Sequence, residues 1–139
     1  MKLDWAMLCT AAEARDGLAY IIGGGWDTTG RGEFPSVFVG GIVIRLQFRP
    51  EEMGGHQLRL AARNEVGEPV GEAVEVAFNV DLPDNLPEGW DANSLISVTL
   101  NGLPLPAPGN YAFDIEVDGA LVRTLPFRVL QTPGAGHAT

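Results

Sequence analysis

Between Gly109 and Gly119, Tyr111, Phe113, Ile115 and Val117 fall on one side of the chain, while Ala112, Asp114 and Glu116 fall on the other. A period of two is the signature of a strand with one face buried. Asp118-Gly119 then supplies a two-residue hairpin turn, because both positions tolerate the positive φ that such turns require. Pairing across that turn sets Val117 opposite Ala120, Ile115 opposite Val122 and Phe113 opposite Thr124. Leu125, Phe127 and Val129 have the wrong parity for this register, so an irregularity is expected at residues 124–126.

The same alternation recurs along the chain. Leu3, Trp5, Met7 and Cys9 oppose Ala6 and Leu8 in a first strand over residues 2–12, apolar on both faces and therefore expected to be central. Leu18 to Ile22 run back after Asp16-Gly17. Residues 36–49 predict one long strand with Ile42, Ile44, Leu46 and Phe48 inward, and a bulge at Gly40-Gly41 that lets it serve both sheets. Leu58, Leu60 and Ala62 predict a fourth strand, Val74, Val76, Phe78 and Val80 a fifth, and Ile96, Val98 and Leu100 a sixth. Residues 81–93 are broken by Pro83 and Pro87, leaving room for one helical turn at 87–90. The three prolines of 103–109 suit an extended crossover. About eight strands with short spacers predict an all-β fold, a two-sheet antiparallel sandwich of immunoglobulin-like or jelly-roll type.

A chain of 139 residues with 45% hydrophobic and 19% charged side chains folds around one core rather than staying disordered. The expected domain covers residues 1–130, followed by a flexible Gly/Pro/Thr tail over 131–139. No apolar run reaches the ~18 residues of a membrane span. Asp4 interrupts the stretch where a secretion signal would be apolar. The net charge of −9 argues against nucleic acid and anionic membrane as partners. Cys9 is the single cysteine, so no internal disulfide forms, and its apolar neighbours predict a buried, inert thiol in a reducing cytoplasm. Lys2 is the single lysine among nine bases, an arginine bias that fits a GC-rich bacterial genome.

Chemistry-bearing motifs are few. Gly23-Gly24-Gly25 lacks the Lys, the Ser/Thr and the helix of a phosphate loop, and reads as a bulge or close backbone approach. Asp81, Asp84, Asn85, Glu88 and Asp91 gather oxygen donors, but at no calcium-loop spacing. Ser36, Ser94 and Ser97 sit in no nucleophile elbow, and no zinc-ligand spacing occurs. Carboxylates abound, yet nothing marks a glycosidase pair. The expectation is a protein that is not an enzyme and carries no cofactor or metal.

The tryptophans say more. Trp5 is in phase with the first strand and is expected in the core. Trp26 and Trp90 lie in irregular segments, each followed by an acid. They either plug the ends of the sandwich or stack on a ligand or partner. The candidate binding residues are Gly24, Gly25, Trp26, Asp27, Trp90 and Asp91.

The Asp16-Gly17 turn, the Tyr20 to Asp27 stretch (Tyr-x-Ile-Gly-Gly-Gly-Trp-Asp) and the Gly109 to Gly119 hairpin together resemble a family of small bacterial proteins of unknown function, commonest in actinobacteria. That resemblance implies the β-sandwich and a bacterial cytoplasm, with no activity or catalytic residues attached. The functional expectation is a protein-interaction or assembly module that pairs with itself or with another protein, with the edge of the long strand from Val37 to Arg49 as one ladder a partner could extend. The alternative is a small-molecule or carbohydrate-binding sandwich using the loops around Trp26 and Trp90. A hydrolase built from loop acids, Asp27 among them, comes third.

Overall fold

The computed structural model describes residues 1–133 and contains twelve strands and one short 3-10 turn. The strands are β1 (Lys2–Cys9), β2 (Ala11–Arg15), β3 (Leu18–Ile22), β4 (Thr28–Arg31), β5 (Ser36–Phe38) and β6 (Gly41–Phe48). After the 3-10 turn at Pro50–Glu52 come β7 (Gly54–Asn64), β8 (Pro69–Val80), β9 (Ala92–Thr99), β10 (Leu103–Leu105), β11 (Gly109–Val117) and β12 (Ala120–Gln131). One sheet has the order β1-β6-β9, and the other has the order β4-β12-β11-β7-β8. The pairs β2-β3 and β5-β10 form two smaller ribbons. The all-β sandwich read from the alternation is therefore present. The tail expected from residue 131 is still strand at Gln131, and residues 134–139 lie outside the described residues.

The core forms where the two large sheets face each other. Ile42, Ile44, Leu46 and Phe48 of β6 are fully buried, as are Leu58 of β7 and Ile115 of β11. Phe113 and Phe127 stack at 5.1 Å, and Phe38 meets both edge-on at 5.4 and 5.6 Å. On the outer face of the five-stranded sheet, Arg59 pairs with Glu116 at 2.8 Å and Arg63 with Asp114 at 3.0 Å. Arg59 and Glu116 are directly opposed on β7 and β11, and Arg63, opposite Ala112, reaches Asp114 diagonally, so the polar side of the alternation is tied together as well.

Several local readings change. The register of β1 slips between Leu3 and Trp5. The extra residue sends Leu3, Ala6 and Leu8 inward and puts Trp5, half-buried opposite Arg45, on the other face. β1 is also an edge strand, not a central one. The β11–β12 pairing keeps Val117 opposite Ala120, but a bulge follows at once, setting Ile115 opposite Arg123 and Phe113 opposite Leu125. Val122 is the extra residue, so the parity switch falls earlier than residues 124–126.

The long strand over 36–49 is two strands. Its chain breaks at Val39-Gly40, where a Cβ on Gly40 would sit 2.8 Å from the Cys9 carbonyl oxygen. β5 leaves both large sheets to pair with β10, the segment read as an unpaired crossover. The 87–90 segment forms a turn closed by Trp90 N–H on the Pro87 carbonyl at 3.1 Å, without a helix.

Candidate interaction surface

The glycine run has a steric cause. A Cβ at Gly24 would lie 2.7 Å from Ile21 Cγ2 and 2.9 Å from Met7 Sδ. Backbone bonds from Thr10 N–H to the Ile22 carbonyl (3.0 Å) and from Gly25 N–H to the Leu8 carbonyl (2.8 Å) hold the run against the end of β1. Gly24 and Gly25 thus mark a close backbone approach rather than an anion cradle.

Trp26 is half-buried, its ring 5.7 Å from Phe38 and beside Gly40, where it covers one end of the core. Asp27 is exposed. Its carbonyl accepts from Arg128 N–H at 2.7 Å, and its carboxylate accepts from the Thr28 hydroxyl at 2.9 Å. Trp90 is 65% exposed. Asp91 precedes Ala92, which pairs with Phe48. Gly41 and Phe48 are the two ends of β6, a separation of about 23 Å at ~3.3 Å per residue. The six candidate residues therefore divide between opposite ends of the molecule and build no common pocket. The acidic connection from Asp81 to Asp91 converges on nothing either: among the described residues, no three His, Cys, Asp or Glu side chains gather at a point.

The groups best suited to catalysis are engaged. Cys9 is fully buried, and burial raises its thiol above the ordinary value, which disfavours the thiolate. His56 packs tilted against Phe48 (4.6 Å) and stacks on Phe78 (5.7 Å). Its Nδ1 lies 2.6 Å from Asp118 Oδ2 and its Nε2 lies 2.7 Å from the Glu52 carbonyl oxygen. Neither nitrogen is left to take a proton from a substrate.

The hairpin expected at Asp16-Gly17 is present as β2–β3, and its open apolar face is what the alternation did not disclose. Asp16 (φ 54°) and Gly17 (φ 75°) make its two-residue turn, which aligns Arg15 with Leu18, Glu13 with Tyr20 and Ala11 with Ile22. Ala12, Ala14, Ala19 and Ile21 are half-buried, on the side where Ile21 meets Met7 beside Gly24. The opposite row is open: Leu18 is 57% exposed, Tyr20 46% and Ile22 68%. Arg15 partly shields it, with the guanidinium 5.1 Å from the Tyr20 ring centre. The signal was available in Leu18, Tyr20 and Ile22, but alternation alone does not tell which side of a strand is dry.

The β6 part of the long strand expected to offer an edge offers none, because β6 pairs with β1 on one side and β9 on the other. The other outer strands carry the features that discourage pairing. β1 has Lys2, Asp4 and its register slip, and β8 has Pro69, Glu72 and Glu75. β4 spans four residues, β5 and β10 three each. β9 is lined with Asn93, Ser94, Ser97 and Thr99 and has β2 packed beside it. Among the described residues, β3 is the one outer strand of five residues with neither charge nor proline nor polar lining.

Residues 4–130 match the model of a family of unknown function, DUF6941. No curated protein matches the sequence. Among solved structures, a beta-glucosidase from Listeria innocua in complex with glucose is similar, with a TM-score of 0.50 at 9% identity. The similarity covers 78% of this chain and 15% of that one, so this chain spans a small fraction of the enzyme's length. At that identity the likeness concerns the fold alone. With all but the ends of its sequence inside the family match, the chain belongs to the family of unknown function DUF6941.

Proposed function

We propose that the protein is a non-catalytic interaction module that binds another polypeptide through the β2–β3 hairpin. The observation that carries this reading is the β3 edge. It joins an open row of backbone N–H and C=O groups to three exposed apolar side chains in a chain whose other outer strands are blunted. An extended partner strand would take its affinity from main-chain hydrogen bonds and its specificity from Leu18, Tyr20 and Ile22. The engagement of His56 and the burial of Cys9 support a role without catalysis. The separation of Trp26 from Trp90 favours this reading over a ligand site shared by their two loops.

A photo-crosslinking amino acid at position 20, in cells, tests it. The expected result is one protein adduct identified by mass spectrometry, a second copy or another chain, and none from the same probe at Val66, which is 73% exposed on the β7–β8 turn. Equal, diffuse labelling from both positions would overturn the proposal.

A further inference from the structure

We infer that the partner is a second copy of this chain, joined by antiparallel pairing of β3 with its symmetry mate, with Tyr20 on the twofold axis. The inference rests on the interaction reading above and deepens it. In a hairpin closed by a two-residue turn, the residues flanking the turn exchange hydrogen bonds, and the bonding then alternates along the strand. Leu18, Tyr20 and Ile22 accordingly bond to β2, which leaves the N–H and C=O of Ala19 and Ile21 pointing out of the open edge.

An axis through Tyr20 sets Ala19 of one copy against Ile21 of the other, twice, for four intermolecular backbone hydrogen bonds. Leu18 then faces Ile22 of the mate, and the two Tyr20 rings are neighbours. Every cross-strand pair is apolar, and the two exposed rows merge into one surface. The arrangement is isologous and closes at two copies, because each β3 has a single free edge.

Charge favours the same arrangement. Two chains of net charge −9 repel each other, so self-association needs an edge free of charge, and β3 supplies it. The nearest acid in sequence, Asp16, lies four positions from the axis. In the antiparallel register the two Asp16 carboxylates stand about 26 Å apart at ~3.3 Å per residue, beyond the ~8 Å screening length at physiological salt. Glu13 and Arg15, the two charges on the exposed face, cancel within each copy at 3.9 Å. Five residues per strand bury less than the ~1,200 Å² of a standard interface, so the dimer is weak and concentration-dependent.

Sedimentation velocity over a concentration series of the full chain tests the pairing. The expected result is a monomer–dimer equilibrium that tightens between about 0.01 M and about 0.15 M salt, as the screening length falls from about 30 Å to about 8 Å. Tyr20→Lys, which opposes two ammonium groups at the axis, is expected to weaken dimerisation about tenfold or more. Ala19→Pro removes an outward donor without touching the β2 ladder and is expected to have the same effect with the fold retained. A wild-type chain that stays monomeric throughout, or a dimer indifferent to both substitutions, overturns the self-pairing. If the position-20 crosslink meanwhile captures a different protein, the interaction reading survives and the symmetric dimer does not.

Discussion

His56 Nδ1 and Asp118 Oδ2 are 2.6 Å apart, although the two residues stand 62 positions apart in sequence. The other ring nitrogen faces the Glu52 carbonyl, which can only accept, so Nε2 must carry a proton. Both contacts are satisfied together only by the imidazolium. The Asp118 hydrogen bond accordingly raises the His56 value above its ordinary 6.5, against the opposing effect of burial, while the same bond lowers Asp118. Asp118 Oδ1 also accepts from Gln57 N–H at 2.9 Å, which ties the β11–β12 turn to β7.

A group whose value rises on folding stabilises the fold below its unfolded value and loses that contribution as pH climbs through the folded one. The stability difference between wild type and His56→Gln is therefore expected to be fully present below pH 6.5 and to shrink above it. About 1 kcal/mol is expected at the plateau, since Asp118 is half exposed to screening solvent. Denaturant melts of both proteins across that pH range check it, and a difference independent of pH contradicts it.

Glu52 behaves with the opposite sign. The Met1 α-ammonium, 2.5 Å away, and the Arg49 backbone N–H hold its carboxyl down to about 2. Its contribution is present above its ordinary value of 4.5 and is lost as pH falls toward 2. Acid melts of wild type are expected to show a steeper loss than those of Glu52→Gln over this interval. Acetylating the α-amino group should remove the same increment.

Tyr111 donates its hydroxyl to the Ala107 carbonyl at 2.5 Å, closing the loop that leads into β11 in the manner of a tyrosine corner. Tyr111→Phe keeps the ring, which stacks 5.4 Å from Phe127, and removes only the hydrogen bond. A loss of about 1 kcal/mol is expected by urea denaturation, with an unchanged m-value.

Trp26 and Trp90 are expected to differ in what their loss costs. Trp26→Ala uncovers Phe38 and is expected to cost about 2 kcal/mol. Trp90→Ala, at a site 65% exposed, is expected to stay within about 0.5 kcal/mol of wild type. Equal effects in thermal melts would contradict the assignment of Trp26 as the cover of the core.

The inward rows Leu58–Leu60–Ala62, Ile96–Val98–Leu100 and Tyr111–Phe113–Ile115–Val117 follow from a period of two, because side-chain direction along a strand is a local property. Trp5 and Val122 defeated it. A single extra residue at a bulge inverts every later side chain, and neither Asp4 nor Val122 looks unusual in isolation.

Strand order was equally hidden. β6 and β3 are both rich in apolar residues, yet one is central and the other lies at an edge. That difference is set by partners far away in the sequence. The candidate residues Gly24 to Asp27 fall next to the hairpin that forms the proposed surface but outside it, since the glycines serve the turn back toward β1.

Amide hydrogen exchange at Ala19 and Ile21, followed against protein concentration, addresses the β3 edge most directly. Their N–H groups point away from β2, so in dilute protein both are expected to exchange rapidly while Leu18, Tyr20 and Ile22 are slowed. As concentration rises, protection at Ala19 and Ile21 is expected to grow in step with the dimer fraction. Rates at these two amides that stay the same from dilute to concentrated protein would contradict pairing along β3.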